Sequence, residues 1–413
     1  MKKILYILLF LPAILSAQGT DTVNLWDCLR LAVSNYPLYN QKELNSEMNH
    51  FTVLNISKSW LPQISVNGQA TYQSDVTGIA NFTSPHDQYK VTLDINQQLY
   101  DGGIVKNRRE IENSSLNVRQ QQLKLNFHDL KQQVSRVFFS INILRKNIDL
   151  IEIMHDDLNE KLKAIQVSVR NGSLLPENEY AIRAEILKNE QQTDELHHKL
   201  SASIDILAEL TGRDIPANAL FQVPFDAQIS DIVAQRPEIL LFDLQKTVID
   251  YNSSMSRKMK IPKLFVFTQA GYGKPGLNML NDKFETYYIV GAGLKWDLID
   301  WGEARNIQKT GNLQKEAIDL NKENFERNIS VATRNELASI EYYRSSIEKD
   351  KKIIELRTRI KESAFAQLQN GTLTATEYLT EANAELQARQ QLETHRILLV
   401  QSVVNYQLIN GDI

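Results

Sequence analysis

The sequence predicts an α+β membrane protein made of two equivalent halves. Each half joins long coiled-coil helices to a pair of β-strands of outer-membrane-barrel type. Three observations predict this class: a repeat that covers the chain, apolar residues at heptad spacing for more than four heptads within about 67 residues free of proline and glycine, enough for a helix of about 100 Å, and period-two segments of about ten residues.

The repeat determines how every later segment is read. "VRNGSLLPENEY" from Val169 and "LQNGTLTATEYL" from Leu368 punctuate the chain alike, with glycines 199 positions apart (371 minus 172). "LYDGG", ending at Gly103, and "LIDWG", ending at Gly302, keep that offset, as do Gly212 in "ELTGRD" and Gly411 in "LINGD". Pro62 matches Pro262 and Pro37 matches Pro237, each 200 apart. Matches in one order imply a tandem duplication, its halves at 18–212 and 230–413, joined by a linker at 213–229.

In chain order, Lys2 and Lys3 precede an apolar run from Ile4 to Leu15 and then Ser16-Ala17-Gln18. That layout is a secretory signal peptide over 1–17, because the run is shorter than the ~20 residues of a spanning helix. Cys28 is the single cysteine of the chain, so it forms no intrachain disulfide; inside "LWDCLRLAV" it reads as a buried, inert thiol. Helices are expected at about 25–59 and 230–259, stopped by Pro62 and Pro262.

Strands follow each proline. "QISVNGQATYQS" from Gln63 and "QYKVTLDINQQLY" from Gln88 alternate apolar and polar residues, giving a hairpin over 63–100; "KLFVFTQAGY" and "TYYIVGAGLKWDL" give its counterpart over 263–298. Tyr72, Tyr89, Tyr100, Tyr272, Tyr287, Tyr288 and Trp296 suit an interfacial aromatic belt. Four strands do not close a membrane barrel, which takes about eight, and open edges are not tolerated in lipid. Chains must therefore pool strands, two giving eight or three giving twelve.

Long helices come next, at 104–170 and 303–369. In the first, Leu123, Phe127, Leu130, Val134, Val137, Ile141, Leu144, Ile148 and Ile151 recur in steps of four and three, the spacing of a coiled coil. The second seam is more polar, which suits either a looser coil or a surface facing water in a channel. Shorter helices return at 177–211 and 377–409. Gly172 and Gly371 fit the residue after a helix, and the acids beyond them suit the next N-terminus.

Composition narrows the function. A net charge of −4 and a pI near 6.1 offer no basic excess to attract nucleic acid. Hydrophobic content of 42% with mean hydropathy −0.34 does not fit a helical membrane bundle. "GYGKPG" at Gly271, Gly273 and Gly276 has dinucleotide-site spacing but sits at a strand end and not at a helix start. The histidines lack metal-ligand spacing, and no nucleophile stands beside a base. No enzyme chemistry, cofactor or metal is expected.

The sequence resembles the TolC-like outer-membrane efflux family over essentially all of the mature chain. "VNLWDCLRLAVSNYP" is similar to its first helix with an Asn-x-Pro ending, though Cys28 stands where a small residue is usual. "LYDGG" and "WDLIDWG" are similar to its strand-to-helix junctions, and "NGTLTATEYLTEA" to its second hairpin turn. The resemblance implies a homotrimer in the outer membrane that extends into the periplasm, with a shared 12-stranded β-barrel and a helical α-barrel. It also implies an exit duct of a tripartite efflux or type I secretion system, conducting small molecules or proteins. The partners would be outer-membrane lipid, a periplasmic adaptor and an inner-membrane pump or ABC exporter. A periplasmic coiled-coil scaffold without a pore is the alternative.

The same resemblance assigns sites. Asn171, Gly172, Ser173 and Leu174, with Asn370, Gly371, Thr372 and Leu373, would form tips that dock the adaptor, Leu174 and Leu373 being exposed for apolar contact. Glu377 would line the constricted periplasmic end. The family's second acid falls at Thr380, leaving Glu381 one place off register. In the first repeat Glu177 and Glu179 flank the matching position.

Overall fold

A computed structural model describes residues 22–79, 82–229 and 236–411; the signal peptide expected at 1–17 lies outside them. In chain order the elements are β1 (Thr22–Asn24), α1 (Leu25–Asn35), a 3-10 turn (Pro37–Asn40), α2 (Gln41–Lys58), β2 (Gln63–Tyr72), β3 (Gly78–Ile79), β4 (Phe82–Thr83), β5 (Asp87–Tyr100) and α3 (Ile104–Arg170). Then come α4 (Pro176–Thr211), β6 (Leu220–Gln222), α5 (Pro237–Met259), β7 (Lys263–Lys274), β8 (Glu285–Lys295), α6 (Glu303–Gln369) and α7 (Ala375–Asn410). The helix expected over 25–59 is broken at Tyr36, which is held extended before Pro37, as a residue preceding proline must be. The α3 and α6 helices have 67 residues each and begin 199 positions apart (303 minus 104); α4 and α7 have 36 each at the same offset (375 minus 176). No described helix is long and apolar enough to cross a membrane.

The chain divides into two compact units. One takes Met1–Tyr36, Phe127–Val233 and Val331–Ile413. Its first core gathers Leu25 and Leu29 of α1, Val134, Phe138, Phe139 and Ile141 of α3, Leu207 of α4, and Val404 and Leu408 of α7. The Asn24 side chain caps α1 by accepting from the Asp27 N–H at 2.8 Å. β1 pairs in parallel with β6 beside this core, and the Arg145 guanidinium lies over the Phe221 ring at 4.7 Å while donating to the Ala217 carbonyl at 2.9 Å. Cys28 is buried, and burial pushes its thiol up to about 11, which leaves it without nucleophilic thiolate at neutral pH. A second core joins Ile151, Leu158 and Ile165 of α3, Ile182 and Ile186 of α4, and Leu368, Tyr378 and Leu386 from the second repeat.

The other unit takes Pro37–Asn126 and Ala234–Ser330. It holds an antiparallel sheet in the order β2-β5-β7-β8. Strand alternation sorts its faces. Ile64, Val66, Val91, Leu93, Val266, Tyr272, Tyr288, Val290 and Leu294 share one face, whereas Ser65, Asn67, Thr92, Asp94, Asn96 and Gln269 share the other. The apolar face is bare: Val66 is 69% exposed, Val290 68% and Tyr288 77%. Below the strands the helices are joined in the same repeat order. Asn49 of α2 meets Asn113 of α3 at 3.2 Å. Asn107 and Gln121 of α3 donate to the Tyr251 and Pro237 carbonyls of α5 at 2.8 and 2.7 Å. Lys315 of α6 pairs with Asp250 of α5 at 2.7 Å. Both layers thus have edges, β2 and α2 on one side, β8 and α6 on the other. Leu44, Met48 and Phe51 on α2, and Leu313 and Leu320 on α6, stand exposed at helical spacing.

Candidate functional site at the hairpin tips

Each hairpin tip is a Schellman turn. In the first, the Gly172 N–H donates to the Val169 carbonyl at 3.0 Å and the Ser173 N–H to Ser168 at 2.9 Å; in the second, Gly371 donates to Leu368 and Thr372 to Gln367, both at 3.0 Å. The turns need a left-handed residue, and Gly172 (φ 73°) and Gly371 (φ 72°) supply it. A Cβ on Gly172 would meet open space, and one on Gly371 would come no closer than 3.6 Å, to the Ser173 carbonyl. The obstacle to larger residues here is the backbone conformation, not crowding.

Leu174 and Leu373 depart from expectation. Leu174 is buried and belongs to the core beneath the tips, and Leu373 is half-buried against the same core. Both stand just before a helix cap, where an apolar residue staples the turn inward. Exposed apolar side chains near the tips include Leu175, at 61%, Tyr180 and Val167. Asn171, Ser173, Asn370 and Thr372 are exposed.

The return helices are capped differently. Thr374 and Glu377 form a capping box on α7: Glu377 Oε2 accepts from the Thr374 N–H at 2.9 Å and from its hydroxyl at 2.8 Å. α4 instead starts on Pro176 with no side-chain cap at Leu175. Asn178, the third residue of α4, is buried and accepts from the Ala375 N–H at 2.8 Å. This side chain of the first repeat therefore caps the return helix of the second and ties the two tips together. Asn178 stands at the repeat position of Glu377 (377 minus 199), a correspondence that could have drawn attention to it.

The acids expected at the constriction have different charge environments. Glu377 is exposed, and hydrogen bonds from the Thr374 backbone, then from its hydroxyl, hold the carboxyl below its ordinary value. Glu381 is paired with Arg357 at 2.8 Å. Glu377 and Glu381 line one cavity of 510 Å³ with Arg359, Ser363, Gln367 and Leu373. Glu179 and Glu177, on α4, do not line it. Arg183, then Gln166, hydrogen-bonds Glu179 and lowers its pKa; Glu177 is exposed and has no ion pair among the described residues.

Sequence reasoning missed a polar ladder that runs along the α6–α7 seam. Glu336 accepts from Asn405 at 3.3 Å, Asp350 contacts buried His395 at 2.6 Å with Tyr343 against the imidazole, and Arg357 meets Glu381. These α6 residues are seven apart, so the greater polarity of the second seam is internal pairing between its two helices. Near the tip, buried Glu385 accepts from Lys361 at 3.2 Å, Thr358 at 3.1 Å and Arg389 at 2.5 Å. Burial raises the Glu385 carboxyl's pKa, yet Arg389 and Lys361 prevail and leave it lowered. Lys361 also reaches Asp157 of α3 at 3.4 Å, an ion pair between the two helical hairpins.

Comparison with known proteins fits this architecture. Residues 56–213 match the family described as outer membrane efflux protein. The fold is that of CusC, from a study of its folding and transmembrane channel formation (TM-score 0.74, 15% identity, covering 93% of this chain and 91% of that one). Over residues 56–213 the chain therefore resembles the outer membrane efflux protein family. It shares its fold equally with the Campylobacter jejuni CmeC outer membrane channel (TM-score 0.72, 18% identity, 94% and 85% covered). The Neisseria gonorrhoeae MtrE outer membrane channel is similar as well (TM-score 0.68, 16% identity, 94% and 88% covered). No curated protein matches by sequence. The four-stranded sheet thus carries one bare apolar face and one face bearing Ser65, Asn67, Asp94 and Gln269, in a fold shared with outer-membrane channels.

Proposed function

We propose that the chain works as a homotrimeric duct of a tripartite efflux or type I secretion system. Each copy's β8 and α6 edge closes on the next copy's β2 and α2 edge. The observation that carries this reading is the pair of open edges in one unit: a four-stranded sheet with unpaired margins and an apolar face, above helices whose outer stripes of Leu44, Met48 and Phe51 and of Leu313 and Leu320 are exposed. Backbone edges cannot remain unpaired in lipid, so other copies must complete them. The scaffold alternative leaves the apolar face without a partner.

The tips then serve as the periplasmic end. Asn171, Gly172, Ser173, Asn370, Gly371 and Thr372 form the exposed turns for an adaptor, with Leu175 giving the apolar contact first assigned to Leu174. Glu377 contributes the uncompensated charge at the constriction, Glu381 being balanced by Arg357, and Lys361 latches α6 to Asp157 of α3 in the closed state. The test is reconstitution in planar bilayers from outer-membrane fractions. Discrete conductance that grows when Lys361 is replaced by Met supports the duct and its latch. Recovery of the protein only from the soluble periplasm contradicts the duct.

A further inference from the structure

We propose that Asp94, in the barrel wall and distant in sequence from the tips, is a second determinant of ion selectivity and makes the lumen favour cations. The inference rests on the duct reading above. Alternation places Asp94 on the polar face of β5, opposite the lipid-facing Val91, Leu93 and Ile95. Its carboxylate is fixed by neutral donors from three strands: Asn67 of β2 at 2.6 Å and Thr92 of β5 at 2.9 Å reach Oδ2, and Gln269 of β7 at 2.5 Å reaches Oδ1. Among the described residues no cation pairs with it. Its charge is oriented but not neutralised.

The charges around it do not cancel it. Across the sheet Asp94 is level with Ser65, Gln269 and Ile289, all uncharged. Lys90 is four residues along the strand, its backbone about 14 Å away; its flexible ammonium acts on Asp94 through space without forming an ion pair, and it shares its own level with Glu285 across Gly273. Lys263 and Lys295 pair at the strand base, six residues from Gln269 and thus about 20 Å away. The lysines at the base thus lie beyond the screening length of about 8 Å at physiological salt, and Lys90, shared with Glu285, offsets the Asp94 charge only in part. When copies close a barrel, one Asp94 from each forms a ring of fixed negative charge at a level without compensation, an arrangement that favours cations in a pore.

A purely structural Asp94 would stitch β2, β5 and β7 together without affecting the current. Reversal potentials under a KCl gradient, measured on the reconstituted full-length channel, separate the roles. Asp94→Asn is expected to lower the potassium-to-chloride permeability ratio about threefold, with less effect at high salt as screening grows. The exchange Asn67→Asp with Asp94→Asn returns a carboxylate to the same cluster and should restore the ratio. An unchanged ratio in conducting Asp94→Asn channels overturns the proposal. Should that variant fail to assemble, an exchange variant that conducts without the wild-type ratio overturns it equally. Absence of conductance in the wild type would instead refute the duct reading.

Discussion

At the residue scale, the tip turns depend on two left-handed glycines. Gly172→Ala or Gly371→Ala should cost about 1–2 kcal/mol each, the strain of a Cβ in that conformation, read as a lowered Tm of the detergent-extracted protein. The absence of a nearby clash makes alanine and serine equivalent here; unequal effects would argue for crowding. Glu377 permits a separate test of charge. Glutamine retains the capping box, so Glu377→Gln should leave stability nearly unchanged while lowering cation preference in planar bilayers. Equal selectivity would reduce Glu377 to a cap. These turns were legible in the sequence because Asn-Gly followed by a hydroxyl and acids is a local signal. The burial of Leu174 was not, since a staple beneath a tip depends on what the other repeat places there. Asn178 was hidden for the same reason: its partner, Ala375, is 197 positions away (375 minus 178).

At the element scale, heptad spacing and missing breakers announced α3 and α6, and the prolines announced their neighbours. What spacing could not say was why the second seam is polar. The answer lies in partners on α7, which pairwise contacts alone reveal. Glu385 is the most enclosed acid near the tip, and its carboxyl is lowered in the folded chain from 4.5. Its stabilising contribution is therefore fully present above about 4.5 and is lost as pH falls through the folded value. Acidification below that value should loosen the α6–α7 tip, seen as faster amide exchange near Thr358 and Glu385, while α3 keeps its protection. Lys361→Met should shift this loosening toward neutral pH and destabilise by about 1–3 kcal/mol, because it removes one of two cationic partners of a buried carboxylate while Arg389 remains. Unaltered exchange in that variant would mean that the latch carries no energy.

At the scale of the whole molecule, period-two strands pointed to a membrane-facing part, and the structure gathers Val66, Tyr288 and Val290 on one exposed face, the side that the proposed duct turns to lipid. The number of copies was not legible from strand physics, which allowed two or three; it came from family resemblance, since a single chain has no partner for its own edges. The exposed α2 stripe offers a direct perturbation: Leu44→Ser with Phe51→Ser should dissociate the assembly without unfolding the chain, as neither side chain is buried within it. The central claim is that each chain is an incomplete wall completed by its copies. Native mass spectrometry of conducting, outer-membrane-derived particles tests it most directly. Three chains per particle is the predicted mass, and a monodisperse single-chain particle that conducts in bilayers would contradict it.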